Sequence, residues 1–256
     1  MVILGAPSEI VALCAQMSTS IISIYTGQGF MVAADGRKRN TDTTLIVSDD
    51  TQKIFPIEQP GRHLVYAISG TGELTHPGSA DVVFDFAKEL EVAVNALTDQ
   101  KLDSLWHYAD ALSKAFRHLP GTAKAAIKGD EPPTIIYLNG YYGNRPKRAQ
   151  ITLFHDGQAP EVSTRPITRG FPDGLGSQLI AHDLLTYDVL ANKCLTDPDS
   201  ISLSDAIEIA KRWMSAHSAP EAVSIDPMCA SIGGRVLIST ITPANGFSWV
   251  QGPQMA

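Results

Sequence analysis

The chain alternates between blocks of strand-like sequence and blocks of helix-like sequence, and the order of these blocks limits the fold. Strands are predicted where β-branched and aromatic residues cluster between turn residues, at 20–25, 30–34, 45–47, 53–57, 63–68, 134–138, 150–154 and 235–241. Apolar residues recur at helical spacing in four other segments, 80–97, 102–119, 177–195 and 205–217. Antiparallel hairpins with helices in blocks favour two antiparallel sheets with a helix pair on each outer face, rather than a doubly wound parallel sheet.

The first eighteen residues differ from the rest of the chain, because they are apolar and precede the first predicted strand. A secretory signal peptide needs a basic start, but the first basic residue is Arg37, and Glu9 interrupts the apolar run. We therefore expect residues 1–18 to form a cytoplasmic leader or propeptide. No repeat and no shift in composition divides the remainder, so residues 19–256 are predicted to form a single domain.

Composition excludes several classes of partner. The net charge of −7 argues against nucleic acid and against an anionic membrane surface, since both require a basic face. No apolar run approaches the length of a membrane span. Three widely separated cysteines, Cys14, Cys194 and Cys229, lack CxxC spacing, which is typical of a reducing compartment. These features together predict a cytoplasmic protein.

The common catalytic and metal-binding motifs are missing from the sequence. It contains no GxxxxGK[ST], GxSxG or HExxH motif, and its seven histidines show no pair at metal-ligand spacing. No metal and no organic cofactor is therefore expected.

The remaining candidate catalytic residues are a threonine, an aspartate and a lysine at the ends of predicted strands. Thr19 starts the first strand, Asp35 follows sixteen residues later, and Lys53 opens a later strand. A nucleophilic hydroxyl needs a base, and the residue's own α-amine, with a pKa of about 7.7–8.0, can serve. A nearby lysine would lower the pKa of that amine, and a carboxylate would orient the lysine. This chemistry requires cleavage between Ser18 and Thr19.

Six motifs occur in the order found in one known family. They are Thr19 with the hairpin glycine Gly29, Ala33-Ala34-Asp35-Gly36-Arg37, Lys53-Ile54-Phe55-Pro56-Ile57, the strand ending at Gly70, Gly174-Leu175-Gly176-Ser177, and the helix 205–213 followed by 226–234. With these motifs the chain resembles the catalytic β-subunits of the proteasome and their bacterial homologues, the N-terminal-nucleophile hydrolases. The resemblance spans residue 19 to about residue 241.

The resemblance implies a fold, an activity and a set of site residues. The fold would be a four-layer αββα sandwich, and the activity would be that of a threonine peptidase. Thr19 would be the nucleophile, Lys53 would tune its amine, Asp35 would hold Lys53, and the Gly70 N–H would bind the oxyanion. Ser177, Asp226 and Ser231 would support the site. The resemblance also implies a ring of subunits and a polypeptide substrate, and leaves room for an ATP-dependent unfoldase as a partner.

Departures from the family pattern keep two alternatives open. Ser18 stands where self-processing members usually carry glycine, which favours a catalytically inactive ring subunit that keeps its leader. A small-molecule amidohydrolase of the same superfamily, acting outside a ring, is the other alternative. Gln178 replaces the last glycine of a G-S-G motif, and the 226–231 segment is about two residues longer than usual. This length leaves open which hydroxyl there supports the site.

Overall fold

A computed structural model describes residues 19–39, 45–75, 81–117, 119, 121–127, 132–155 and 158–253. The predicted leader and Cys14 therefore lie outside the described residues.

The described residues form strands, α-helices and two short 3-10 helices. The strands are β1 (Ile21–Tyr25), β2 (Phe30–Asp35), β3 (Lys38–Arg39), β4 (Ile46–Ser48), β5 (Ile54–Gln59), β6 (Arg62–Ser69), β7 (Glu73–Thr75), β8 (Val82–Asp85), β9 (Thr134–Tyr142), β10 (Arg145–Leu153), β11 (Glu161–Thr164), β12 (Pro172–Leu175), β13 (Val236–Thr242) and β14 (Gly246–Gln251). The helices are α1 (Phe86–Ala96), α2 (Leu105–Lys114), α3 (Gly121–Ala126), α4 (Gln178–Tyr187), α5 (Lys193–Thr196), α6 (Leu203–Ser218) and α7 (Ala222–Ile225), with 3-10 turns at Pro198–Ser200 and Pro227–Ser231.

The strands of the described residues pair into four antiparallel sheets. One five-stranded sheet has the order β12-β1-β2-β13-β14, and the other has the order β11-β10-β9-β6-β5. Two smaller sheets pair β3 with β4 and β7 with β8. Among the described residues, three helices lie between β8 and β9 along the chain, and four lie between β12 and β13. The predicted four-layer αββα sandwich of two sheets flanked by helix pairs is therefore wrong. It omits the two smaller sheets, and it places the helices in pairs, whereas the described helices occur in groups of three and four along the chain.

Strand alternation divides the apolar residues between distinct clusters. Ile21 and Val32 pack with Val65 and Ala67, so residues of both five-stranded sheets share one buried cluster. Ile22, the next residue along β1, instead packs with residues of α6. In the second sheet Tyr66 and Leu138 pack against α1 and α2. The space between the two large sheets is thus closed by apolar side chains, and Thr19 and Asp35 lie together at one end of β1 and β2.

Two helix starts differ from the prediction because polar side chains cap the backbone at other residues. Within the segment predicted as one helix from residue 80, residues Val82–Asp85 form β8, and the Asp85 carboxylate caps α1 by accepting from the N–H groups of Ala87 and Lys88. Helix α6, predicted from residue 205, begins at Leu203, because Ser202 caps it and forms a reciprocal capping box with Asp205. Within the described residues, no helix has the length and apolar character needed to cross a membrane.

Candidate functional site

Thr19 lies at the entry to β1 and is almost fully buried, with 3% of its surface exposed. Ile21, two residues later, packs into the space between the large sheets. Alternation along an extended chain directs Thr19 to the same side. There Lys53 Nζ donates a hydrogen bond of 3.3 Å to Thr19 Oγ1. The hydroxyl of Thr19 is therefore in direct contact with a cation.

Asp35, the last residue of β2, is 1% exposed, and its carboxylate accepts four hydrogen bonds. Oδ1 accepts from Ser20 N (2.8 Å) and from Lys53 Nζ (3.1 Å). Oδ2 accepts from Arg37 N (3.2 Å) and from Gly233 N (3.3 Å). Three backbone donors and one ammonium group compensate for the burial of the charge. The carboxylate is thus fixed by backbone from three separate segments and in turn fixes Lys53.

Lys53 immediately precedes β5 and is 8% exposed. Burial lowers the pKa of its ammonium group below the ordinary value, and Arg37 lowers it further, while Asp35 acts in the opposite direction. A cation held beside a hydroxyl in a dry environment stabilises the alkoxide that forms when the hydroxyl loses its proton. The arrangement can therefore activate Thr19 as a nucleophile.

Gly70 follows the last residue of β6 and has a positive φ of 85°. A Cβ at this position would lie 2.0 Å from the Pro133 carbonyl oxygen, so both the conformation and the packing require glycine. Ile68 N, two residues earlier, donates to Lys53 O at 3.0 Å. Gly70 therefore lies at the end of β6 beside the segment that carries Lys53.

Ser177 is fully buried and caps α4, where its hydroxyl accepts from Ile180 N at 3.4 Å. Its carbonyl oxygen lies 3.2 Å from His217 Nε2. The preceding Gly176 packs closely against both His217 and Ser20. Ser177 is therefore part of the support behind the start of β1, and among the described residues no hydrogen bond joins it to Thr19.

Asp226 and Ser231 lie at the two ends of the 3-10 turn Pro227–Ser231, and their hydrogen-bond partners lie outside the contact between Thr19, Asp35 and Lys53. Asp226 Oδ1 accepts from Met228 N at 3.1 Å, which caps the turn. Ser231 Oγ accepts from Arg39 Nη1 at 3.1 Å. Within the described residues neither side chain forms a hydrogen bond with Thr19, Asp35 or Lys53. The structure therefore brings those three predicted residues into contact and leaves Asp226 and Ser231 outside this contact.

Several residues that support the site have no counterpart in the sequence prediction. Ser20 Oγ accepts from Trp213 Nε1 at 3.0 Å, and the indole of Trp213 stacks on the His217 ring at 4.8 Å. Both aromatic residues lie on α6, four positions apart, so the predicted helix already implied that they share a face. Gly233 N joins the 226–234 segment to Asp35 by a hydrogen bond. The donor belongs to the backbone, so the residue types of the sequence do not predict this contact.

The described residues contain no group of three or more His, Cys, Asp or Glu side chains that could hold a metal ion. The groups that meet at Thr19 are a hydroxyl, an ammonium group, a carboxylate and backbone N–H groups.

Comparison with known proteins identifies relatives by structure rather than by sequence. No protein-family model and no curated protein sequence matches the chain. Anbu (ancestral beta-subunit) from Yersinia bercovieri superposes with a TM-score of 0.57 at 11% identity, over 91% of this chain and 87% of that one. An Anbu (Gly-1) mutant from Hyphomicrobium sp. strain MC1 gives a TM-score of 0.56 at 14% identity, with the same coverage of 91% and 87%.

These findings correct the family predicted from the motifs. Both of these structures are Anbu proteins, a distinct proteasome-like family, rather than the catalytic proteasome β-subunits that the sequence resembles, so that prediction is wrong. At identities of 11% and 14% the likeness concerns the fold alone. At this coarse level, the chain is similar in fold to the proteasome-like Anbu subunits.

Proposed function

We propose that the chain is a subunit of a proteasome-like assembly in which Thr19 hydrolyses amide bonds of polypeptides after removal of residues 1–18. The observation that carries this proposal is the buried chain of contacts from Thr19 Oγ1 through Lys53 Nζ (3.3 Å) to Asp35 Oδ1 (3.1 Å). A hydroxyl, a cation and a carboxylate in this order are the groups that an activated threonine nucleophile requires.

The reaction would proceed through an ester of Thr19. The free α-amine of Thr19 takes the hydroxyl proton as Oγ1 attacks the carbonyl carbon of the substrate. The oxyanion that forms accepts a hydrogen bond from the Gly70 N–H. The proton then passes to the leaving amine as the C–N bond breaks. A water molecule hydrolyses the resulting ester, releasing the acid and restoring the hydroxyl.

Lys53 and Asp35 would act on this reaction by electrostatics and by position. The ammonium group of Lys53 donates to Oγ1 and stabilises negative charge there. It also lowers the pKa of the neighbouring Thr19 amine, which keeps a larger fraction of that amine unprotonated near neutral pH. Asp35 holds the ammonium group in place, and three backbone N–H groups hold Asp35.

Self-association into a ring belongs to the same proposal. The relative from Yersinia bercovieri is described as an ancestral beta-subunit, and a subunit implies an assembly. Large apolar side chains are exposed along α4 and the turn after it, including Leu179, Tyr187 (78%) and Val189 (84%). Exposed apolar patches of this kind are typical of interfaces. An assembly of this type would act on unfolded polypeptides, and a partner that unfolds them with ATP would fit it.

Intact mass combined with peptide hydrolysis tests the proposal. The active protein should lack residues 1–18, and Thr19→Ala should abolish hydrolysis of a fluorogenic peptide while leaving the particle size unchanged. Thr19→Ser is the matched control, because it keeps the hydroxyl and should retain measurable activity. Turnover by Thr19→Ala at the rate of the unmodified protein would show that the nucleophile is another residue.

A non-catalytic subunit is the second candidate, and Ser18 favours it. A subunit that keeps its leader has no free amine on Thr19, so the proposed base is missing. Such a protein would show the mass of the full chain and no hydrolysis, yet would form the same particle. The two candidates therefore predict different masses and different activities but the same particle size.

A further inference from the structure

Removal of residues 1–18 would make Thr19 the first residue of the chain, two positions before β1 begins at Ile21. The first residues of a domain are poorly ordered unless specific contacts hold them. The proposed reaction needs the amine and the hydroxyl of Thr19 in fixed positions, since a displacement of about 1 Å can reduce a rate about 100-fold. The contacts of Ser20, the residue between Thr19 and β1, therefore bear directly on catalysis.

The backbone of Ser20 is held by Asp35, at the end of the neighbouring strand β2. Ser20 N donates to Asp35 Oδ1 at 2.8 Å, and Ser20 O accepts from Asp35 N at 3.1 Å. The same Oδ1 accepts from Lys53 Nζ at 3.1 Å, so a shift of Ser20 would also disturb the oxygen that positions Lys53. Both backbone contacts come from β2, and they fix Ser20 along one edge of β1 only.

The side chain of Ser20 is fully buried and is held from the helix layer. Ile22, two residues later, packs with residues of α6, and alternation along an extended chain directs Ser20 to that face, opposite to Thr19. There Trp213 Nε1 donates to Ser20 Oγ at 3.0 Å. Ser20 Oγ also lies 3.5 Å from Leu175 O on β12. Contacts from the sheet and from α6 thus meet at this one residue.

The indole of Trp213 is itself held in one orientation. It is buried in the cluster that joins α6 to β1 and β2, and the ring of His217 stacks on it at 4.8 Å. Gly176 closes the space beside these groups, since a Cβ there would lie 2.8 Å from His217 Nε2 and 3.2 Å from Ser20 Oγ. A buried indole N–H needs an acceptor, and the packing directs this one at Ser20 Oγ.

We propose that Trp213 is a positioning residue for the reaction of Thr19. Its indole N–H holds Ser20 against α6 and thereby fixes the amine and the hydroxyl of Thr19 beside Lys53. Trp213 acts on Thr19 through Ser20 and is not a catalytic residue. The effect on the rate rests on the proposed function, whereas the anchoring of Ser20 does not depend on removal of residues 1–18.

Kinetics of Trp213→Phe test the role in catalysis, because this variant removes the N–H donor and keeps an aromatic ring. The kcat of peptide hydrolysis by the processed protein should fall about tenfold, and the KM should stay within about twofold. An amine held less closely to Lys53 has a higher pKa, so the acidic limb of kcat/KM against pH should move up towards the value of about 7.7–8.0 of a free α-amine. A loss of packing alone would not move this limb.

Two further variants separate the hydrogen bond from general destabilisation. Ile201→Val removes one methyl group from the same buried cluster, so it should lower stability without changing kcat or the pH profile. Ser20→Ala removes the acceptor and should reproduce the loss of kcat in Trp213→Phe. Because both substitutions remove the same hydrogen bond, the double variant should lose no more than the larger of the two single losses.

Hydrogen exchange followed by mass spectrometry tests the anchoring without any need for activity. Trp213→Phe should speed exchange in the peptide that contains Ser20 about fivefold, the effect of one lost hydrogen bond. Ile201→Val should leave this exchange unchanged, because the end of a strand exchanges by local opening.

The outcomes distinguish this proposal from the proposed function. Unchanged exchange in Trp213→Phe would overturn the anchoring of Ser20, whatever the activity. Losses of kcat that multiply in the double variant, or an equal loss of kcat in Ile201→Val, would overturn the positioning role while hydrolysis by Thr19 stands. Faster exchange in Trp213→Phe, together with no hydrolysis by the unmodified protein, would support the anchoring and contradict the proposed function.

Discussion

Two segments were predicted to contribute to the same site, but their carboxylates have different environments in the structure. One segment surrounds Asp35, and the other runs from Asp226 to Ser231. Asp35 ends a strand, is 1% exposed, and accepts from three backbone N–H groups and from Lys53. Asp226 begins a 3-10 turn, is partly exposed, and accepts from Met228 N within that turn. The first carboxylate connects segments distant in sequence, whereas the second stabilises its own turn.

The difference shows when the spacing of two residues in the sequence predicts that their side chains meet in a site. Strand pairing fixes the distance between Thr19 and Asp35, because β1 and β2 pair residue by residue through their hairpin. A 3-10 turn can lengthen by two residues and still return the backbone to the same place, here at Gly233 N. The side chains within such a turn then point in directions that spacing does not determine.

Removing the two carboxylates should give the largest contrast in stability. Asp35→Ala leaves Lys53 buried without its partner, so the free energy of unfolding should fall by about 3–5 kcal/mol. Asp226→Ala removes one cap and should cost about 1 kcal/mol. Urea unfolding followed by circular dichroism measures both. Equal losses would mean that Asp226 has a structural role as large as that of Asp35.

Removing Lys53 and Ser231 should give the same contrast in activity. Lys53→Met removes the donor to Thr19 Oγ1, and hydrolysis by the processed protein should fall by about 10²- to 10⁴-fold. Ser231→Ala removes only the acceptor of Arg39 Nη1, and the rate should stay within about threefold, because among the described residues Ser231 forms no hydrogen bond with Thr19, Asp35 or Lys53. Peptide hydrolysis at saturating substrate measures both rates. A loss in Ser231→Ala as large as that in Lys53→Met would place Ser231 in the catalytic machinery.

Substitutions at two glycines with positive φ distinguish the cost of backbone strain from the cost of close packing. Gly70→Ala brings a Cβ against the Pro133 carbonyl and should reduce the free energy of unfolding by about 2–4 kcal/mol. Gly61→Ala has a similar φ of 71° with open space around the Cβ, so only the conformational strain of about 1–2 kcal/mol should appear. Thermal unfolding of the two variants in parallel gives the comparison. Similar losses would show that Gly70 is required for its φ alone.

The smallest effect is a pH dependence from His217, which lies between the two segments. Burial lowers its pKa below 6.5, against the opposing effect of two backbone carbonyls and of Asp226 and Asp35. The unfolded chain therefore binds more protons than the folded chain below that pH, so stability should rise with pH through this range and be lost on acidification. His217→Gln should flatten the dependence relative to the unmodified protein. Urea unfolding across this range measures both slopes, and an unchanged slope in His217→Gln would contradict the assignment.

The sequence predicted the parts of the site that depend on strand order. The hairpin around Thr26–Gly29 is confirmed by the pairing of β1 with β2, and the lysine before β5 lies beside Thr19 as the motif order required. The alternation of apolar residues is sufficient for these predictions, because the side chains of a strand point to only two faces of the sheet. The catalytic roles of these residues remain predictions.

Features that depend on backbone contacts or on tertiary packing could not be predicted in the same way. The cap at Asp85 turned the start of a predicted helix into β8, and the pairing of β7 with β8 added a sheet. The strand β12, which pairs with β1, was predicted only as a glycine motif before Ser177. Weak motifs in the right order also suggested the wrong family, because motifs of a few residues each occur by chance and do not determine a family.

Whether Thr19 is a processed nucleophile can be decided by mass spectrometry of the intact protein after incubation with a threonine-directed electrophile. We expect a protein that lacks residues 1–18 and carries one adduct on Thr19, and no adduct in Lys53→Met. A full-length mass without any adduct would contradict the proposed role of Thr19.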